Sequence, residues 1–309
     1  MLPPGLSVAD TNGVTKRRYT RFAAVGAVAL VCCLLLSAWI VVRLSDAGAA
    51  RAVSSVTLLQ RAPGPQPPGQ PGLRAVAAPL AACEGRIERG PRRRPTLAVA
   101  GASYTAGEGP GDPAQSWAVD LARLLHWNAV IYGVPGAGYQ RAGGGGRGPM
   151  DRMLAQEGLR GLRPALVIVQ AGHDDVGVPL AVERSRVGAS VALIRTAAPG
   201  ARIGLLTTFA SVPDGTPPLR ATNQAIVAAG GAADPSLIVM DPLAGRWRYA
   251  RARDGLHPTA AGDAWIARAV AATLAGHGLR PAAATGASPV ICDVSVGRRQ
   301  AGDSLGRPA

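Results

Sequence analysis

Five short apolar runs recur through the middle of the chain: "TLAVAG" at 96–101, "AVIYG" at 129–133, "ALVIVQAG" at 165–172, "IGLLTTF" at 203–209 and "LIVMD" at 237–241. They contain few polar positions and lack the period-two alternation of a half-solvated strand. That suits strands buried on both faces of a parallel sheet. Between them the period changes. Trp117, Leu121, Leu124 and Leu125 stand at helical spacing, as do Val187, Val191 and Ile194. After Pro258, "TAAGDAWIARAVAATLAG" offers Trp265, Ile266, Val270 and Leu274 as one apolar face. Strands alternating with helices imply βαβ units. The predicted fold is a three-layer α/β/α sandwich with about five parallel strands in a flavodoxin-like order.

The flanks follow other rules. Residues 22–42, "FAAVGAVALVCCLLLSAWIVV", carry no charge and would span about 31 Å as a helix. Lys16, Arg17, Arg18 and Arg21 precede this segment and Arg43 alone follows closely, which puts the N-terminus in the cytoplasm and the rest of the chain outside. The apolar stretch is longer than a usual signal-peptide core, so an uncleaved transmembrane anchor is the preferred reading. Cleavage at "AGAA", 47–50, is the alternative. Next, "APGPQPPGQPG" at 62–72 is expected to form an extended spacer. The expected organisation is a basic cytoplasmic segment 1–21, an anchor 22–42, a linker 43–82, a folded domain 83–292 and a disordered tail 293–309.

Composition changes this picture only in part. Lys and Arg number 33 against 19 Asp and Glu, a net charge of +14, and Lys16 is the single lysine. The cluster Arg92-Arg93-Arg94 has no interleaved aromatics, so no nucleic-acid platform is expected. A solvated basic surface, weakly drawn to anionic headgroups or wall polymers, is the preferred reading. Cys32 and Cys33 fall inside the apolar segment. Cys83 and Cys292 bracket the expected domain, and in an oxidising compartment they would form a disulfide joining its two ends.

In open α/β sheets, sites lie beyond the carboxyl ends of the strands. Ser103 follows the first apolar run, Gly136 the second and "GHDD" (172–175) the third, while "RDGLHPTAAGDAW" sets Asp254 and His257 before the last helix. Taken singly, Ser103 reads as a helix N-cap and His257 as a helix-start histidine. Together, in the order Ser, Asp, His, they supply a nucleophile, an orienting carboxylate and a base.

These stretches resemble the four sequence blocks of the SGNH hydrolases, also called GDSL-type esterases and lipases. "GASYTAG" is similar to the first block, "GVPGAGY" (133–139) to the second, "GHDD" to the third and "DGLH" to the last; the resemblance covers roughly 95–277. It implies a serine esterase that forms an acyl-enzyme, with Ser103, Asp254 and His257 as the triad, and the orientation of the anchor would place it outside the cytoplasm. It also implies an oxyanion hole from the N–H groups of Ser103 and Gly136 plus a third donor. Two positions depart from the pattern. Ala102 replaces an aspartate outside the chemistry, and Asp174 stands where an asparagine side chain normally donates. An ionised Asp174 can only accept; a protonated one can donate, and Asp175 next door would favour the protonated form.

Other readings compete. His173, Asp174 and Asp175 are metal-ligand types, but adjacent residues rarely converge on one ion, and no metal or cofactor is expected. "RAGGGGRG" (141–148) lacks the Lys-Ser/Thr ending of a phosphate loop and reads as a mobile rim or lid. Trp117, Trp247 and Tyr249 read as packing or rim residues. The expected partners are a small-molecule, lipid or glycan ester and, through the N-terminal helix, a membrane. The alternative function is an SGNH-fold module that binds envelope ligands with little or no turnover.

Overall fold

The computed structural model describes residues 71–89, 94–110, 114–212, 215–284 and 287–295, and the expected anchor at 22–42 and the chain beyond 295 lie outside these. Six parallel strands make the sheet: β1 (Thr96–Gly101), β2 (Asn128–Gly133), β3 (Leu166–Gln170), β4 (Arg202–Leu206), β5 (Ile238–Met240) and β6 (Ile291–Asp293). Their order is β5-β4-β3-β1-β2-β6. The five expected strands are present in flavodoxin-like order, and a sixth is added beside β2.

The helices are α1 (Pro71–Arg89), α2 (Ser103–Ala106), α3 (Trp117–Leu125), α4 (Met150–Gln156), α5 (Leu159–Leu162), α6 (Leu180–Ala197), α7 (Pro217–Ala233) and α8 (Ala260–Gly276). They cover both faces of the sheet, which is why the strands need apolar residues at every position. Ala98, Ala100, Val167 and Val169 pack with Leu80, Met150, Leu159 and Val187 on one face. The intervening Leu97, Val99, Leu166 and Ile168 pack with Trp117, Leu121, Ile266 and Val270 on the other. Each large aliphatic side chain buried this way contributes about 1.5–3 kcal/mol relative to exposure. Leu124, by contrast, projects from α3 into solvent rather than joining its apolar face.

Local signals set several helix starts. Ser116 and Thr259 cap α3 and α8 by accepting from Val119 N and Gly262 N. Thr216 caps α7, with Pro217 and Pro218 in its first turn.

Both ends of the domain differ from expectation. α1 begins inside the stretch read as linker and carries Pro79 within it. At the other end, the β6 segment is ordered to Ser295 because β2 offers it a free edge. Ala129 N donates to Val290 O at 2.9 Å, Val294 N to Ile131 O at 2.9 Å, and Val290 N to Asn128 Oδ1 at 3.0 Å. Cys83 of α1 and Cys292 of β6 form a disulfide with Cα atoms 5.9 Å apart. Among the described residues, no helix is long and apolar enough to cross a membrane.

Candidate active site

The chain leaves β1 at Gly101 and enters α2 at Ser103, which is buried. Ala102 is the N-cap of α2 and supplies no side-chain cap, so Ser103 is the first helical residue and its hydroxyl does not act as a cap. Gln170, at the end of β3, ties this corner down. Its backbone and side-chain oxygens each accept from Ala102 N at 3.1 Å, and Thr105 Oγ1 donates to the same side chain at 3.0 Å.

The loop before α8 carries the other two triad candidates. Asp254 Oδ1 accepts from Leu256 N (2.9 Å) and His257 N (3.0 Å), while Oδ2 pairs with His257 Nδ1 at 2.7 Å. The bond to His257, followed by the Leu256 amide, lowers the Asp254 pKa to about 2. With Nδ1–H donating to a carboxylate, Nε2 is left as the acceptor nitrogen. It is buried and makes no hydrogen bond, and the Glu108 carboxylate stands 3.5 Å away.

Tyr104 ties this loop to the serine corner. Its hydroxyl donates to Leu256 O at 2.7 Å and meets the Tyr249 hydroxyl at 3.1 Å. Its ring stacks on Phe209 at 4.2 Å and lies 5.5 Å from the imidazole. Burial raises the phenol's pKa, so Tyr104 remains a neutral donor. The residue after Ser103 therefore holds the residue before His257. Tyr249 and Trp247 are edge-on to Phe209 in the same cluster, as packing residues.

Gly136 sits in the loop after β2 with φ +74°, a left-handed turn that glycine adopts freely. This loop is joined to β1 by Val134 N donating to Gly101 O at 2.8 Å. Among the described residues, neither the Ser103 N–H nor the Gly136 N–H is engaged by a carbonyl. The Gly-rich stretch packs against the Gly136 turn, with Gly144 N donating to Pro135 O at 2.8 Å.

The two aspartates of "GHDD" part company. The buried Asp175 carboxylate accepts from the N–H groups of Tyr139 (2.6 Å), Gln140 (3.1 Å) and Arg141 (3.1 Å), stapling the third block to the second. A Cβ at position 138 would overlap that carboxylate, which accounts for Gly138. Asp174 is half-buried, and its carboxyl feels the charges of His173, Asp175, His257 and Glu108. Burial raises its pKa, His173 opposes the rise and Asp175 adds to it. His173 turns Nδ1 to Phe209 O at 3.1 Å. Asp175 and His173 thus face separate partners, and among the described residues no group of three ligands could hold a metal.

Sequence reasoning did not single out Tyr104, Gln170 or Glu108. Tyr104 had one usable signal, its place beside the candidate nucleophile. Gln170 is brought to the site by the pairing of β3 with β1, and Glu108 by the turn that closes α2.

The GDSL-like Lipase/Acylhydrolase family matches residues 99–265, a span from β1 into α8 that includes all the residues just described. The chain belongs to this family. It is accordingly an ester hydrolase with the SGNH α/β fold. Among solved structures, TesA is 24% identical, with a TM-score of 0.47, over 58% of this chain and 97% of that one. A protein described as lipolytic and of the G-D-S-L family, from Desulfitobacterium hafniense DCB-2, is 17% identical, with a TM-score of 0.44, over 58% and 98%. A family two carbohydrate esterase from Clostridium thermocellum is 17% identical, with a TM-score of 0.47, over 60% and 65%. These likenesses concern the fold. A comparison with curated proteins finds no match.

Proposed function

We propose that this GDSL-like hydrolase is a serine esterase with Ser103, His257 and Asp254 as its triad. The observation that carries the reading is the Asp254–His257 pair, which leaves a buried Nε2 with no hydrogen bond, in a loop that Tyr104 ties to the corner presenting Ser103. Ser103 Oγ attacks the ester carbonyl as its proton passes to Nε2. The oxyanion forms toward the N–H groups of Ser103 and Gly136, with protonated Asp174 as a third donor. Collapse expels the alkoxide, which takes the proton from Nε2 and leaves an acyl-Ser103. Water, deprotonated by Nε2, then releases the acid.

The same proposal places the domain outside the cell, held by residues 22–42 and acting on a small-molecule, lipid or glycan ester of the envelope. The uncharged segment and its basic flank support that placement. A second reading, a binding module with little turnover, draws on Asp174, a carboxyl where a neutral donor serves the reaction best.

Hydrolysis of short p-nitrophenyl esters, with Ser103→Ala beside it, tests the proposal together with labelling by a fluorophosphonate. Activity and labelling that both vanish in the variant are expected. A folded protein that neither hydrolyses nor labels would favour the binding module.

A further inference from the structure

Glu108 has no part in the proposed triad, yet its place is fixed from both sides of it. Its backbone N–H donates to Ser103 O at 3.0 Å as the chain leaves α2 through Gly107. The next residue, Gly109, lies against the base. With φ +111°, a Cβ there would stand 2.8 Å from His257 Cβ and closer still to Pro258 O. Residue 108 is thus held between nucleophile and base. Its carboxylate stands 3.5 Å from His257 Nε2, and both groups act electrostatically on Asp174. The His257 side chain is 14% exposed and that of Glu108 47%, so the carboxylate is open to an incoming molecule where the base is not.

In the ester hydrolysis proposed above, on which this inference rests, Nε2 hands its proton to the departing alkoxide. The leaving oxygen must then come within about 3 Å of Nε2, and the alcohol it belongs to passes beside Glu108. A carboxylate accepts hydrogen bonds and donates none. A hydroxyl on the carbon beside the one that bears the ester oxygen is the nearest donor an alcohol can offer it. A plain alkyl group offers no donor, and a phosphate brings like charge. A cation would gain from charge alone, which solvent and salt screen at a half-exposed carboxylate. A hydrogen bond to an ionised acceptor is shorter and directional.

We propose that Glu108 sets the alcohol specificity of this site by accepting a hydrogen bond from a hydroxyl next to the ester oxygen, so that its substrates are partly acylated polyols, such as glycerol or a sugar, rather than esters of simple alkanols.

The test compares kcat/KM of the full chain, in neutral detergent, on 2-hydroxyethyl butyrate and the equally sized propyl butyrate. Hydrolysis of p-nitrophenyl butyrate is the control for the triad itself. The hydroxyethyl ester should be favoured at least about tenfold. 2-Methoxyethyl butyrate keeps the oxygen but has no proton to donate, and should behave like the propyl ester. In Glu108→Ala the preference should shrink to near unity, and in Glu108→Gln, which keeps a neutral acceptor, it should fall between. A general loss of activity cancels in this ratio, so a merely structural role would not move it. The proposal is overturned if the parent shows no preference, if the methoxyethyl ester shares it, if butyrylcholine surpasses the hydroxyethyl ester, or if both folded variants keep the parent's ratio. A parent that hydrolyses none of these esters, p-nitrophenyl butyrate included, removes the triad reading and this one with it.

Discussion

Asp254 grips His257 twice, with one carboxylate oxygen 2.7 Å from Nδ1 and the other accepting the His257 backbone N–H at 3.0 Å. A spacing of three residues in a tight turn makes both contacts possible. The backbone bond fixes where the histidine starts, and the side-chain bond fixes its tautomer. Asp254→Asn keeps the shape but allows the amide N–H to face Nδ1, which would leave the proton on Nε2, the wrong nitrogen for a base. We expect kcat to fall by about 10²- to 10⁴-fold while KM changes little. With the Asp254 pKa lowered to about 2, the carboxylate stays ionised through the ordinary assay range, so the acid side of the activity profile should not arise from it. An Asp254→Asn enzyme with near wild-type kcat would remove Asp254 from the triad.

In the proposed mechanism Asp174, as the third oxyanion donor, gives the other half of the site its pH dependence. Burial raises its pKa, and an acidic side chain that stays protonated can donate to an oxyanion. As pH rises through that pKa the donor becomes an acceptor, so activity should decline toward alkaline pH. In Asp174→Asn the donor is permanent. One oxyanion donor is worth about 10²- to 10³-fold in kcat, so the variant should exceed the parent by at least about tenfold at pH 8 and approach it at the acid end. Superimposable profiles would mean that Asp174 does not face the reacting oxygen.

The strands were legible in the sequence because burial on both faces writes itself as unbroken apolar runs. Leu97 and Ala98 serve opposite layers, yet both had to be apolar. The helices were legible from the spacing of residues such as Val187, Val191 and Ile194, all buried. β6 was not, since a three-residue strand gains its stability from the β2 edge and from Cys292 rather than from its own composition. α1 was hidden by Pro79 and the proline-rich stretch running into it. In the site, chain order pointed to Ser103, Asp254 and His257. The separate duties of Asp174 and Asp175 were invisible, because only the fold brings three N–H groups of residues 139–141 onto Asp175. Gln170 reaches the site through the sheet and Glu108 through the turn that ends α2, and no local pattern marks either.

The Cys83–Cys292 bond closes a separation of 209 residues and fastens α1 to the edge strand. In the chain-entropy account, so long a loop is worth about 5 kcal/mol, and loss of such bonds generally costs about 2–5 kcal/mol. Cys83→Ala should lower the urea midpoint accordingly and free β6 from α1. Hydrogen exchange should therefore rise first at Ala129, Ile131 and Val294, leaving β1 and β3 protected. Unchanged exchange along β2 would show that the edge strand holds without its bridge.

Glu157 should give the fold an unusual pH dependence. It is fully buried at the end of α4, and burial raises its pKa to about 8 although the Val99 backbone pulls the other way. Glu183 is likewise buried, raised to about 8 by burial and then by the charge of Asp175. Above pH 4.5 the unfolded chain releases these protons while the folded one keeps them. Stability is then fullest below that pH and falls as pH climbs toward 8, by up to about 1.4 kcal/mol per pH unit for each group. Asp254, with its pKa lowered to about 2, titrates outside this window. Asp174, raised as well, acts in the same direction. Urea unfolding from pH 5 to 8 should therefore show a declining midpoint. Glu157→Gln should reduce the slope, and adding Glu183→Gln should flatten most of what remains. Parallel curves for parent and variants would mean that water reaches these carboxylates in the folded protein and that they ionise like surface groups.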